Sequence, residues 1–453
     1  MSQIIVEKNS RIFKKDNKQF FYLADTCWSA FTNITLEEWE YYLNLRKTQG
    51  FNVIQINILP QWDASGTELN YYPLPCDDSF PKIFKFTEFN QEYFDRARHM
   101  CEMAKEKGFE LALVVLWCNY VPNTWASKMF SKMSSNNIMP YEFIDKYIEK
   151  VNETFSDLNP IYVISGDTDF DGEDTKEYYL KAANKLRKLA PDLLQTLHIR
   201  GRLEVIPEEF IELIDFYMYQ SGHNAENPAM PYLLAKNFYE KYPAKPIINS
   251  EPCYEQMGYS RNMYGRFYQF DVRRAAWMSL LSGACAGVTY GAHGIYSWHK
   301  IGKRFGLGIG EGFDSPNPWN DAVKYPGAWD YGYIKYMLDL YGIHELIPID
   351  KIMNSTDDIR MASTRGEDKI LIYVPANTNV RIDKNLSSYD IKIIDMVSKN
   401  VFIPSVEVKD EKTTIYMHSF EKDVVIVMRK NKPKSFWLKV FNENLFEISL
   451  SNI

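Results

Sequence analysis

A (β/α)8 barrel followed by a small β-sandwich is the fold class that the sequence predicts, and three observations predict it. Strand-like and helix-like stretches alternate through most of the 453-residue chain, giving eight strands each separated by helix. The strands are apolar enough to be covered on both faces, which is the mark of a parallel sheet. Beyond His344 the pattern changes to short β-rich runs at close spacing.

Taken in order, the chain opens with weak alternation and a turn at Lys15–Lys18, which predicts a small hairpin. The first strong strand is Phe20–Leu23, ending at Ala24–Asp25–Thr26. Leu36–Thr48 has helical period, with Thr35 and Glu38 spaced as a capping box and Gly50 closing it. Asn52–Leu59 is strand, and after a long polar and aromatic loop Gln91–Lys107 is helix. Strand Leu111–Trp117, helix Tyr141–Phe155, strand Ile161–Ile164, helix Thr175–Leu189 and strand Leu194–Ile199 follow. The barrel is completed by helix Glu208–Leu213, strand Phe216–Gln220, helix Tyr232–Tyr242, strand Ile247–Asn249, helix Phe267–Leu281 and strand Gly287–Gly291.

Eight such units over about 320 residues fit a (β/α)8 barrel. A doubly wound open sheet is the competing topology; neither GxGxxG nor GxxxxGK[ST] follows the first strand, which weakens it. The runs Arg360–Ala362, Ile370–Tyr373, Ile391–Ile394, Thr413–Tyr416 and Val424–Val427 read as a small sandwich. The expected division is a barrel with its N-terminal hairpin over 1–348 and a β-domain over 349–453.

The composition is that of a globular protein, with 45% hydrophobic and 25% charged residues, but it is rich in aromatics: 31 Tyr, 27 Phe and 10 Trp. Aromatic faces with polar handles suit a polyhydroxylated ligand, although most will be core. A net charge of -7 without a basic tract argues against nucleic acid. No run approaches membrane-spanning length, which predicts no membrane partner. The N-terminus has no apolar region followed by a cleavage site, so the expected location is the cytoplasm; a removed export signal would look the same. Six dispersed cysteines without a CxxC pair read as reduced thiols.

Two strands end in a carboxylate: IYVISGD at Asp167 and PIINSE at Glu251. They close the fourth and seventh strands, so in a barrel both face the pocket formed by the loops after the strands. Cleavage of a glycosidic bond needs one carboxyl group to protonate the leaving oxygen and a second to attack, or to activate water, at the anomeric carbon. Asp167 also reads as a plain helix cap, and Asp167-x-Asp169-x-Asp171-Gly172 begins like a calcium loop, but its twelfth position is Tyr178 where a bidentate Glu is required. An ion-paired structural role is the bland reading of Glu251, and Glu255 is its rival four residues on.

Strand ends supply further candidates for substrate contact: Asp25 and Trp28 after the first strand, Gln61 and Trp62 beyond the second, Trp117 and Asn119 after the third, His223 after the sixth, and Tyr290 and His293 after the eighth. Tyr290 is expected to hydrogen-bond Glu251 and keep it ionised. The loop Gly302–Trp319, with Glu311, is long enough to form part of the pocket wall.

The segments FFYLADTCW at 20–28, GFNVIQINILP at 50–60, NPIYVISGD at 159–167 and KPIINSEPCYE at 245–255 occur in an order that resembles the apiosidase-like catalytic domain of glycoside hydrolase family 140, over most of residues 8–345. The C-terminal part is similar to the small β-domain, sometimes labelled collagen-binding, that commonly follows it. This resemblance implies a retaining glycosidase without a metal or organic cofactor. Asp167 corresponds to the general acid/base and Glu251 to the nucleophile, and the substrate is an oligosaccharide or polysaccharide of plant cell-wall type. The wider clan of barrel glycosidases carries Asn–Glu where this chain has Gly166–Asp167. Two other classes stay open at this stage: a carbohydrate-binding scaffold on a degenerate barrel, and a metal-dependent lyase or hydrolase, for which only His223 and His293 are suitably placed.

Overall fold

The computed structural model describes residues 3–129, 137–260, 263–305, 316–417 and 422–431. It divides into two compact units, Met1–Glu345 and Leu346–Ile453.

The first unit opens with an antiparallel three-stranded sheet, Ile5–Val6, Phe13–Lys15 and Lys18–Phe20. Asp16 and Asn17 turn the hairpin with φ of 53° and 59°, the left-handed conformation that Asp and Asn tolerate best. Eight parallel strands then form the barrel wall: Tyr22–Thr26, Val53–Asn57, Glu110–Trp117, Ile161–Gly166, Gln195–Thr196, Tyr217–Tyr219, Ile247–Asn249 and Gly287–Tyr290. Each pairs with its sequence neighbour, and the eighth pairs with the first. The fifth and sixth strands meet through the single parallel bridge of His198 with Met218. These two strands are the shortest runs in the wall apart from the seventh, and only two and three residues of each lie in the ladder.

Helices cover the outside. Leu36–Thr48 carries the expected capping box: the Glu38 N–H donates to Thr35 Oγ1 at 3.2 Å, and the Thr35 N–H donates to Glu38 Oε2 at 3.0 Å. Gln91–Glu106, Phe143–Phe155, Glu173–Leu189, Met230–Lys241 and Gln269–Leu280 follow the periods read from the sequence. Gly327–Leu340 packs on the first and eighth strands and completes the ring. No described helix is long and apolar enough to cross a membrane.

The second unit holds two antiparallel sheets. One has six strands in the order Ile347–Pro348, Arg360–Ser363, Lys369–Val374, Val424–Lys430, Tyr389–Asp395 and Val401–Phe402; the other has Val380–Ile382, Lys412–Ile415 and Val406–Lys409. Ile370, Ile372, Ile393 and Ile426 of the first share one core with Val380, Ile382 and Ile415 of the second. Two sheets closing on a common apolar layer make a sandwich.

Candidate active site

The loops that follow the barrel strands gather a buried polar cluster around Glu251. The seventh strand ends at Asn249, Ser250 N–H donates to Tyr219 O, and the next residue turns its carboxylate into the pocket, where it is 8% exposed. Two histidines hold it. His223, after the sixth strand, places Nε2 2.9 Å from Glu251 Oε1. His198, two residues beyond the fifth strand, places Nε2 3.1 Å from Glu251 Oε2 and Nδ1 2.8 Å from Ser250 Oγ. The Tyr254 N–H donates to His223 Nδ1 at 3.3 Å, so the proton of a neutral His223 sits on Nε2 and is donated to Glu251.

Asp167 lies at the end of the fourth strand with φ of 49°, a left-handed backbone that few non-glycine residues adopt. Its own carbonyl accepts a 2.6 Å hydrogen bond from Trp125 Nε1, and its Oδ1 accepts from Gln220 Nε2 at 3.1 Å. Gln220 Nε2 is also 3.2 Å from His198 Nε2, so a polar chain runs from Asp167 through Gln220 and His198 to Glu251.

The two carboxyl groups titrate in opposite directions. Burial raises the pKa of Asp167 well above the usual carboxylate range, and the charge of Glu251 adds to it. Burial pushes Glu251 up as well, but the hydrogen bonds from His198 and His223 outweigh it and bring the group down to about 2. One acid is held protonated and the other ionised, the division of labour that acid and nucleophile require.

Aromatic rings wall the cluster. Trp117 stacks on His198 at 5.8 Å between centroids and packs against Trp28 at 5.3 Å. Trp28 Nε1 donates to Tyr254 Oη at 3.1 Å, and Trp62 meets Trp125 edge to face. Gly166 makes the Trp117 position possible, because a Cβ there would fall 1.9 Å from Trp117 Cε3.

Several residues marked from the sequence lie elsewhere. Asp25 and Tyr290, expected at the pocket, are direct partners in the ladder between the first and eighth strands, and both face outward. Period-two alternation is the cause: Tyr22 and Thr26 flank Asp25 at one- and three-residue offsets and reach Gln55 on the inner face, which sends Asp25 to the helix layer. There Asp25 Oδ2 accepts from Arg46 Nε at 2.5 Å and from Tyr42 Oη at 2.6 Å. Tyr290 Oη donates to Glu255 Oε2 at 2.6 Å, not to Glu251. Glu255 also accepts from the Gly327 N–H at the start of a helix, so this rival carboxylate belongs to the outer layer. Gln61 is committed to Asn57 and Ser29, and with Asn119 it lines a cavity whose walls do not include Asp167 or Glu251. His293 is fully buried and stacks behind Tyr296; burial and Arg266 bring it down to about 3, which keeps it neutral. Asp169, the second acid of the calcium-like run, is paired with Arg200 at 3.2 Å and accepts from the Trp125 N–H. Glu311 lies outside the described residues, while Trp319 stacks on Trp298 at 4.5 Å. His198 and Gln220 were not marked; the signal for His198 is its place one residue before the end of the strand-like run LLQTLHI.

The model of the family described as apiosidase-like, catalytic domain, matches residues 7–345. The chain belongs to the apiosidase-like family. The apiosidase-like barrel and the sandwich after it also superpose on solved structures. A protein described as a glycoside hydrolase has a TM-score of 0.74 at 22% identity, covering 94% of this chain and 97% of that one. A glycoside hydrolase family 5 protein from Bacteroides vulgatus ATCC 8482 has a TM-score of 0.76 at 24% identity, covering 94% and 93%. A family 30 endoxylanase from Clostridium papyrosolvens C71 has a TM-score of 0.50 at 11% identity, covering 95% and 100%. At these identities the likeness is one of fold. No curated protein matches the chain.

Proposed function

We propose that the apiosidase-like barrel is a retaining glycoside hydrolase acting on a plant cell-wall glycan, with Asp167 as general acid/base and Glu251 as nucleophile, and that the β-sandwich is an accessory domain. The observation that carries this reading is the hydrogen-bonded chain that joins two strand-end carboxyl groups in one aromatic-walled pocket, burial favouring the proton on Asp167 and two histidines favouring the charge on Glu251. In the first step Glu251 attacks the anomeric carbon, the glycosidic C–O bond breaks, and the proton of Asp167 passes to the leaving oxygen. In the second, Asp167, now ionised, takes a proton from water as that water attacks the same carbon, and Glu251 leaves as a carboxylate. His198 and His223 hold Glu251 with the oxygens fixed and the charge retained until attack.

The test is turnover of a panel of aryl glycosides and pectin side-chain oligosaccharides, with the first-formed anomer read by NMR. Retention of configuration, and loss of turnover in Glu251→Ala with an unchanged melting temperature, are the expected results. Inversion would reassign Glu251 as a base, and a fully active Glu251→Ala variant would remove it from the chemistry.

A further inference from the structure

The long loop after the second barrel strand carries a third carboxylate, Asp63, between Trp62 and Ala64. Its neighbour Trp62 packs on Trp125, whose Nε1 donates to Asp167 O, and the charge of Glu251 acts on Asp63, so it lies beside the same pocket. Asp63 Oδ1 is shut off from solvent and has no hydrogen-bond partner among the described residues. Tyr296 Oη is in the same condition, on a ring that packs against Tyr254 and feels the charges of Asp63 and Glu251. A buried acceptor and a buried donor left without partners are costly in a folded protein, and such a pair next to a reaction centre is what a bound group completes.

A hydroxyl group can do both at once, donating to Asp63 and accepting from Tyr296. A carboxylate cannot: it would satisfy Tyr296 while facing the ionised Glu251 and, above its own titration, the ionised Asp63. Arg200, the cation whose charge acts on Asp167, is already paired with Asp169. We infer that Asp63 is a specificity-determining residue that, together with Tyr296, anchors the hydroxyls of the glycosyl unit next to Glu251 and turns away a uronate at that position. The inference rests on the glycosidase reading above. Burial, and then Glu251, push the Asp63 carboxyl up to about 7; a hydroxyl meets either form, whereas rejection of a uronate belongs to the ionised form above that pH.

The experiment compares the full-length wild type with Asp63→Asn, Asp63→Ala and Tyr296→Phe. Saturation-transfer NMR measures binding of neutral methyl pentosides and hexosides and of the matching methyl uronides, and 4-nitrophenyl glycosides report kcat and KM. Above about pH 7 the wild type is expected to bind neutral glycosides and not uronides. Asp63→Ala should weaken neutral binding and raise KM at least ten-fold with a smaller effect on kcat. Above about pH 7, where Asp63 is ionised, Asp63→Asn keeps the shape and removes the charge, so it should hold neutral sugars within a few-fold and gain measurable uronide binding, a gain that a purely structural role does not produce. Tyr296→Phe should weaken neutral binding several-fold. Wild-type binding by Asp63→Ala, unchanged selectivity in Asp63→Asn, or no neutral sugar bound by the wild type would each overturn the inference. Glu251→Ala separates the two readings: hydrolysis that survives this substitution defeats the mechanism and leaves the Asp63 binding result standing. Loss of hydrolysis with an indifferent Asp63 does the reverse.

Discussion

The backbone N–H of Tyr254 fixes the tautomer of His223. It donates to Nδ1 at 3.3 Å, which leaves Nε2 as the protonated nitrogen facing Glu251 Oε1 at 2.9 Å. Because the donor is main chain, only a proline at 254 would remove it directly. The Tyr254 ring in turn needs Gly291, where a Cβ would come 2.0 Å from Tyr254 Cδ1.

Glu251 should therefore lose its low pKa when either histidine is removed. In the wild type it is brought to about 2, so activity persists down to strongly acidic pH as far as this group is concerned. His223→Ala and His198→Ala each remove a donor to the ionised form. The acidic limb of the kcat/KM profile should then move upward, and activity near pH 4 should fall first. A profile with an unmoved acidic limb would detach the histidines from this role.

The alkaline limb should belong to Asp167. Its protonated form is favoured by burial and by Glu251, so activity is retained below its pKa and is lost as pH rises through it. Asp167→Ala should abolish that limb and slow glycosides with poor leaving groups by about 10²–10⁴-fold, the usual worth of a general acid. Activated aryl glycosides, whose leaving groups need no proton, should suffer less in the first step.

Glu255 gives a stability prediction separate from activity. Its pKa is raised from 4.5 to about 7, chiefly by burial. The folded state therefore holds this proton more tightly than the unfolded chain. The stabilisation is complete below about pH 4.5 and is lost as pH rises through about 7, with a total on the order of 3 kcal/mol. Glu255→Gln, which mimics the protonated side chain, should flatten the difference in denaturant stability across that window. A variant that tracks the wild type at every pH would show that Glu255 is already relieved by Tyr290 and Gly327.

Asp25 and Arg46 form a pair that is fully buried on both sides. Arg46→Leu leaves Asp25 as an uncompensated buried charge and should cost about 3–5 kcal/mol in urea unfolding. The double variant Asp25→Leu with Arg46→Leu should recover part of the loss. Residual folded protein should keep its kcat, since neither side chain touches the carboxylate cluster.

The barrel was legible because its signals are local and repeated: apolar runs of strand length, helical periods between them, and a cap such as Thr35 with Glu38 that reports a helix start directly. The positions of Asp167 and Glu251 at strand ends were legible for the same reason, since each polar residue abruptly closes an apolar run. The direction of Asp25 and Tyr290 was not. In strands covered on both faces the sequence lacks the alternation that tells inside from outside, and a polar residue is easily assigned to the pocket when its partner, here Arg46, waits under a helix. His198 and Gln220 were missed because neither is a carboxylate that abruptly closes an apolar run: His198 lies inside the run LLQTLHI, and Gln220 is a neutral amide at the end of its strand. Asp63 sits in a long loop, where sequence carries no period at all.

Trp117 packed against Gly166 couples positions 117 and 166: a side chain at one has to displace the ring at the other. Converting Gly166–Asp167 to Asn–Glu in this protein would drive a Cβ into the Trp117 ring before the new amide met anything. The two catalytic vocabularies are therefore not interchangeable by exchanging the acid and its neighbour alone. A route between them must pass through a third substitution, at Trp117, that opens room first.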